Sequence, residues 1–260
     1  MTGKRIRMLV EYDGSGFEGY QLQGPDVRSV QSELERAFTQ LAGYKVRVHG
    51  AGRTDKGVHA TGQVVHADVC WRFSSEQAEV ALNAILPRDL AVRGVMEVDE
   101  TFHAQRSATS RTYVYLIDNG KVRRPMLGKR AWHVDRTLNI DAMREAATAL
   151  LGVHDFASFG NAAKGKSTIR RMDVIDVRRR GSLVVIHITA NAFLRQMVRA
   201  IVGSLVEVGL GRISVARIES VLALKNKGIC PRVAPPHGLT LKHVSYDGVR
   251  IDLRNKELTI

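Results

Sequence analysis

Apolar and polar positions along the chain fall into short runs with two periods, two residues in some and about three and a half in others. Residues 5–13 form an apolar run that leans to β-branched side chains and closes on Asp13-Gly14, which predicts a strand entering a turn. Gly24-Pro25-Asp26 marks a loop. Beyond it Val30, Leu34, Phe38 and Leu41 recur at helical spacing behind Ser29, a residue type suited to cap a helix. Residues 44–48 and 63–69 read as strands on either side of a loop over 50–62, residues 78–86 as a helix and 90–98 as extended chain. The predicted order is β-α-β-β-α-β.

The order recurs in the second half. Residues 111–117 alternate as a strand, 140–151 form a helix closed by Gly152, and 172–178 and 183–190 are strands. A long helix over 193–208 and a strand over 239–244 follow, with a further helix over 215–224 carried by Ile218, Val221 and Leu222. This pattern predicts an α+β protein built from two ferredoxin-like β-α-β-β-α-β halves, residues 1–105 and 106–260. No low-complexity linker separates them, so their strands are expected to join in one central, mostly antiparallel sheet.

Composition adds a sign to this frame. The 260 residues are 44% hydrophobic, enough for a sizeable core. Lys and Arg number 39 against 26 Asp and Glu, a formal charge of +13. The pI is near 10.1, the footprint of a protein that meets a polyanion, although a solvated basic surface gives the same count. Cys70 and Cys230 stand far apart and the nine histidines show no metal-ligand spacing, so neither a metal nor another cofactor is expected. The N-terminal apolar run is too short for a signal peptide and no stretch is long enough to span a bilayer, which predicts a soluble, cytoplasmic protein.

Two glycine motifs fail on context. Gly14-Ser15-Gly16-Phe17-Glu18-Gly19 fits GxGxxG, but Gly24-Pro25 intervenes before a helix could present its amides to a pyrophosphate. Residues 160–167, GNAAKGKS, match a P-loop. They lack a buried apolar strand before them, and Val174, Ile175 and Val177 predict a strand where a P-loop needs a helix. Lys164 and Lys166 read instead as a basic loop, either touching phosphates or merely solvated.

The segment GAGRTDKGVHATGQ, residues 50–63, differs in kind. Its glycines let backbone approach a substrate closely, and Arg53, two residues before Asp55, could pair with that carboxylate and orient it as a nucleophile or base. The residues alone leave a structural turn with an Arg–Asp pair equally open. Their wording goes further: GAGRTDKGVHATGQVVH closely resembles the catalytic motif of the TruA family of tRNA pseudouridine synthases. The resemblance continues in family order through EYDGSGFEGYQLQ, SVQSELERAF, FHAQRSATSRTYVYLI, NAFLRQMVRAIVGSLVEVG and HGLTLKHVSY.

That resemblance implies a pseudouridine synthase fold and isomerisation of uridine at positions 38 to 40 in the anticodon arm of tRNA. No cofactor is implied, and the enzyme is expected to be a homodimer. Asp55 then corresponds to the essential aspartate, which attacks the target nucleoside so that the base detaches, rotates and rejoins through carbon. Arg53 is implied to hold the flipped-out nucleotide, and Tyr113 to stack on its base and to be a candidate for removing the C5 proton. Leu239 is implied to pack against the base, and Arg199 to sit near the aspartate. Arg195, four residues before Arg199 on the predicted helix, joins Lys56, Lys164 and Lys166 as a candidate RNA contact. Lys56, the run Tyr20-Gln21-Leu22-Gln23 and Ala200 depart from the commoner family pattern of Ala, Trp-Gln-Arg-Gln and Asn, which bears on RNA contacts. A non-catalytic tRNA-binding protein and, less favoured, a P-loop nucleotidase are the alternatives.

Overall fold

Ile6, Met8, Val10 and Tyr12 alternate into the core from β1 (Lys4–Tyr12), the first strand of a computed structural model that describes residues 3–163 and 165–247. Helix α1 (Val30–Ala42) starts at Ser29, whose side chain accepts from the Ser32 amide while Ser32 returns the bond to the Ser29 amide. This reciprocal cap satisfies two amides that a helix start leaves without partners. Ser74 and Gln77 build the same cap on α2 (Ser75–Ile85). Strands β2 (Val48–Gly50), β3 (His59–Val69) and β4 (Leu90–Val98) complete the first half.

The second half runs through β5 (Ala108–Asp118), β6 (Trp132–His133), α3 (Ile140–Thr148), β7 (Gly152–Asp155), β8 (Ile169–Arg180) and β9 (Leu183–Ala190). It ends with α4 (Met197–Gly209), α5 (Ala216–Leu224) and β10 (Leu239–Tyr246).

Among the described residues one sheet holds all ten strands, in the order β4-β1-β3-β10-β5-β9-β8-β7, with β2 on β3 and β6 on β5. Within the first half the order is fourth-first-third-second strand, and β10, β5, β9 and β8 repeat it, so both halves are ferredoxin-like. Pairing is antiparallel except between β5 and β6 and at the seam between halves, where β10 meets β3 in parallel at Thr240↔His59 and Leu241↔Ala60. β1 occupies one edge of β3, so β2 and β10 share the other in succession. At the seam a Cβ on Gly62 would lie 2.1 Å from the Lys242 carbonyl oxygen, so the close approach needs a glycine there.

Several expected boundaries shift. Residues 44–47 are not a strand: Gly43 ends α1 in the left-handed region (φ 77°), and pairing begins only at Val48. The helix expected over 193–208 starts at Met197, because Asn161 and Arg195 exchange backbone hydrogen bonds (3.1 and 3.3 Å) and Gln196 takes φ 65°. Arg195 therefore lies outside the helix and does not share a helical face with Arg199. The helix over 140–151 ends at Thr148, and Gly152, expected to close it, opens β7.

Candidate active site

The loop between β2 and β3 is held from below by the strands and from the side by the turn after β1. Gln63 on β3 takes the Gly52 amide on Oε1 (3.3 Å) and returns Nε2 to the Gly52 carbonyl (2.7 Å). The buried Tyr12 hydroxyl meets Thr54 Oγ1 at 2.8 Å, and the Tyr20 amide donates to the Thr54 carbonyl at 3.0 Å. The glycines rejected as a dinucleotide motif serve this loop. A Cβ on Gly14 would lie 2.1 Å from the Val58 carbonyl oxygen. One on Gly19, already at φ 106°, would lie 3.0 Å from that of Thr54. Close backbone approach thus fixes both shoulders of the segment that carries Asp55.

Asp55 presents its carboxylate to the second half of the chain. Arg199 Nη1, in the first turn of α4, donates to Asp55 Oδ2 at 2.9 Å, with the two side chains 15% and 25% exposed. The pair is shielded enough to hold its geometry and open enough for a substrate to reach the carboxylate. Arg199 is fixed in turn: its Nε donates to the Ala234 carbonyl (2.8 Å) and its own carbonyl accepts from the Ala234 amide (2.9 Å). Tyr115 donates its hydroxyl to the next carbonyl, that of Pro235, at 2.8 Å. The expected Arg53–Asp55 pair is absent among the described residues. Arg53 is exposed and turns instead into a cleft with Tyr20, Arg47, His49 and His103. The turn geometry sends the two side chains apart although only one residue separates them.

Tyr113 and Leu239 lie on adjacent strands. Antiparallel register sets Leu241 opposite Tyr113 and Leu239 opposite Tyr115, so Tyr113 and Leu239 are diagonal neighbours on one face. Both are buried, and the Phe193 ring meets the Tyr113 ring edge-on at 5.2 Å. A Cβ on Gly52 would come within 3.8 Å of the Tyr113 hydroxyl, which places this ring beside the Asp55 loop. Burial above all pushes the Tyr113 phenol far above its ordinary range, with Tyr12 and Asp55 adding to the rise. The phenol is therefore protonated at neutral pH.

Arg111, two residues before Tyr113 on β5, was not singled out from the sequence. It is buried and donates to four main-chain carbonyls, those of Ala51 (3.2 Å), Gln105 (2.7 Å), Ala108 (3.1 Å) and Asn191 (2.8 Å), tying the Asp55 loop to both halves. The available signal was the alternation of RTYVY, which sets Arg111, Tyr113 and Tyr115 on one face of a strand.

Of the basic candidates, Lys56 pairs with Glu18 at 2.6 Å on the surface, Lys166 and Arg195 are exposed, and Lys164 lies outside the described residues. The 160–167 segment runs from β7 into β8 with no helix after it, which removes the P-loop context. Among the described residues no group of three or more His, Cys, Asp or Glu could hold a metal ion, and no helix is long and apolar enough to cross a membrane.

Comparison with known proteins agrees with this arrangement. The profile described as tRNA pseudouridine synthase matches residues 8–105 and 146–247. A tRNA pseudouridine synthase A of Afipia carboxidovorans is 46% identical over 246 residues, covering 93% of this chain and 99% of the relative. Proteins of the same name from Shewanella baltica and Psychromonas ingrahamii are 44% and 42% identical, each match covering 93% of both chains. By profile and by relatives alike, the chain belongs to the tRNA pseudouridine synthase family.

Proposed function

We propose that this isomerase converts uridine to pseudouridine at positions 38 to 40 of the tRNA anticodon arm, with Asp55 as the nucleophile. The observation that carries the reading is the Asp55–Arg199 pair, a reachable carboxylate oriented by a cation that is itself held at a second point. The reaction exchanges the N1–C1′ bond for C5–C1′ and moves one hydrogen from C5 to N1, so it needs no redox equivalent and no phosphate energy. Attack by Asp55 frees the base; the base turns within its pocket and bonds again through C5.

A uridine within a stem must first leave the stack, at a cost of a few kcal/mol. Stacking on Tyr113, packing on Leu239 and contact with the exposed Arg53 offset that cost. Tyr113, held protonated by burial, begins as a stacking surface and hydrogen-bond donor. It takes the C5 proton only after giving up its own. The +13 charge supports binding of the remaining tRNA through phosphates, with Lys56, Lys166 and Arg195 on that surface. Residues 1–105 bring the carboxylate and residues 106–260 the arginine and the stacking ring, in a cytoplasmic homodimer.

Asp55→Asn is the deciding variant. Pseudouridine mapped in an unmodified tRNA transcript is expected to fall by roughly a thousandfold or more, as for removal of a nucleophile elsewhere. The tRNA Kd is expected to stay within a few-fold of wild type. Undiminished product with Asn at position 55 sinks the reading.

A further inference from the structure

Beside the Asp55 loop, on the side to which Arg53 turns, lies a polar cleft of about 110 Å³. Arg47, Arg53, His49, His103, Gln21 and Tyr20 line it. Its volume is far below the ~300–1,000 Å³ of sites that enclose a whole small molecule, which excludes a nucleotide cofactor and leaves room for a single anionic group. Two guanidinium groups with imidazole and amide donors are the chemistry that binds a phosphate. The carboxylate nearest Arg47, Glu35, stands 3.4 Å from its Nε. Glu35 is itself withdrawn, 12% exposed, and bound by the Gln31 side chain (2.8 Å) and the Val48 amide (3.1 Å). Arg47 remains 57% exposed.

A second observation is independent of the charges. Tyr20 is 3% exposed, yet its hydroxyl has no hydrogen-bond partner among the described residues. The hydroxyl end of its ring packs against Gly50, where a Cβ would lie 2.3 Å from the oxygen. A buried donor left unmatched in the free protein is costly, and Tyr20 lines the cleft, so a small shift of its ring on ligand entry would give the hydroxyl an acceptor.

We propose that this cleft is a phosphodiester subsite holding the RNA backbone that adjoins the target uridine. The proposal rests on the isomerase reading above. Arg53 and Asp55 are two positions apart, a reach of at most about 7 Å, so a strand whose uridine meets Asp55 passes its adjoining backbone over the cleft.

The test uses an anticodon stem-loop RNA with a neutral methylphosphonate at one linkage at a time, bound to wild type and to Arg47→Gln. Arg47 is exposed, so the variant keeps its fold. One linkage beside the target is expected to weaken wild-type binding roughly tenfold when neutralised and to have a clearly smaller effect in Arg47→Gln, where Arg53 remains. The variant is expected to lower the slope of log Kd against log salt by about 0.7 to 0.9, with conversion at saturating RNA unchanged. Additive effects at every linkage, or wild-type affinity in Arg47→Gln, overturn the proposal. So does a melting temperature raised by inorganic phosphate in wild type alone while no methylphosphonate matters, since that marks a site for a free anion. Wild-type conversion of the unsubstituted RNA in the same series separates failure of the cleft from failure of the isomerase reading.

Discussion

Position 14 has a carbonyl where any other residue would carry its Cβ. With Val58 O only 2.1 Å from that point, Gly14→Ala must push the Asp55 loop or the preceding turn aside. Overpacking of this kind costs about 1–3 kcal/mol. At about 2–4 °C per kcal/mol for a chain of this size, a drop of several degrees in Tm is expected, with a loss of turnover. Calorimetry and pseudouridine mapping read the two, and an unchanged pair of values means that the loop does not rest on this turn. His66 gives a residue-scale pH dependence. Burial first, then His103, His49 and Arg5, push its imidazole down to about 4. Above the unfolded value near 6.5 both states are neutral and His66 imposes no penalty; as pH falls below it the unfolded chain takes up a proton that the folded chain refuses. Stability is therefore lost between about pH 6.5 and 4, by about 2 kcal/mol at pH 5. Urea midpoints at pH 7 and 5 measure it, and a His66→Gln variant with the same pH slope counts against the assignment. At this scale the loop around Asp55 stands out, because few other stretches crowd glycines around ionisable side chains, but its residues alone left a structural turn equally open. Nearness in sequence suggested Arg53 as the partner of Asp55; the pair forms instead with Arg199, 144 positions later, which only the family resemblance placed near the aspartate.

At the scale of elements, the sequence reading meets the start of α1, behind its Ser29 cap, and that of α3, behind Asn139, but begins α2 three positions late and α4 four positions early. Phe193 and Leu194 continue its apolar rhythm, but they are held in non-helical backbone by the bridge to Asn161, and periodicity does not register a backbone contact. The two-residue β6 and four-residue β7 are too short to carry a period at all. The outer strand β4 shows how a free edge is closed. Asn83 of α2 takes the Val92 amide (2.9 Å) and gives to the Val92 carbonyl (2.8 Å), and Glu79 takes the Val95 amide (3.1 Å). Such cover keeps a bare edge from pairing with another molecule. Asn83→Ala is expected to lower stability by about 1–2 kcal/mol and to raise the aggregation rate at elevated temperature, followed by light scattering. A variant as stable and as soluble as wild type shows that β4 is protected by other means.

For the whole molecule, the seam between β3 and β10 decides whether the carboxylate from one half meets the arginine and ring from the other. The repeated β-α-β-β-α-β order made two halves legible, but the parallel seam left no trace in either strand's pattern, because alternation reports a face and not a neighbour. Gly62→Ala places a Cβ about 2.1 Å from Lys242 O and must part these strands. Turnover is expected to fall about tenfold or more, since small misplacements of reacting groups are expensive, while exposed phosphate contacts leave tRNA binding nearly unchanged. Equal losses in kcat and affinity, or none in either, argue that the seam does not set the geometry. The order of the sheet also bears on synthesis. The strand that fills the middle, between β3 and β5, emerges from the ribosome after the nine other strands of the described residues. Until residues 239–246 arrive, a nascent chain carries two inner edges paired only in part, by β2 on β3 and by β6 on β5, and an aspartate with no finished pocket. With Asp55 as the proposed nucleophile, assembly of the centre and completion of the site fall at the same late moment of translation, and chains interrupted before it are expected to be inactive.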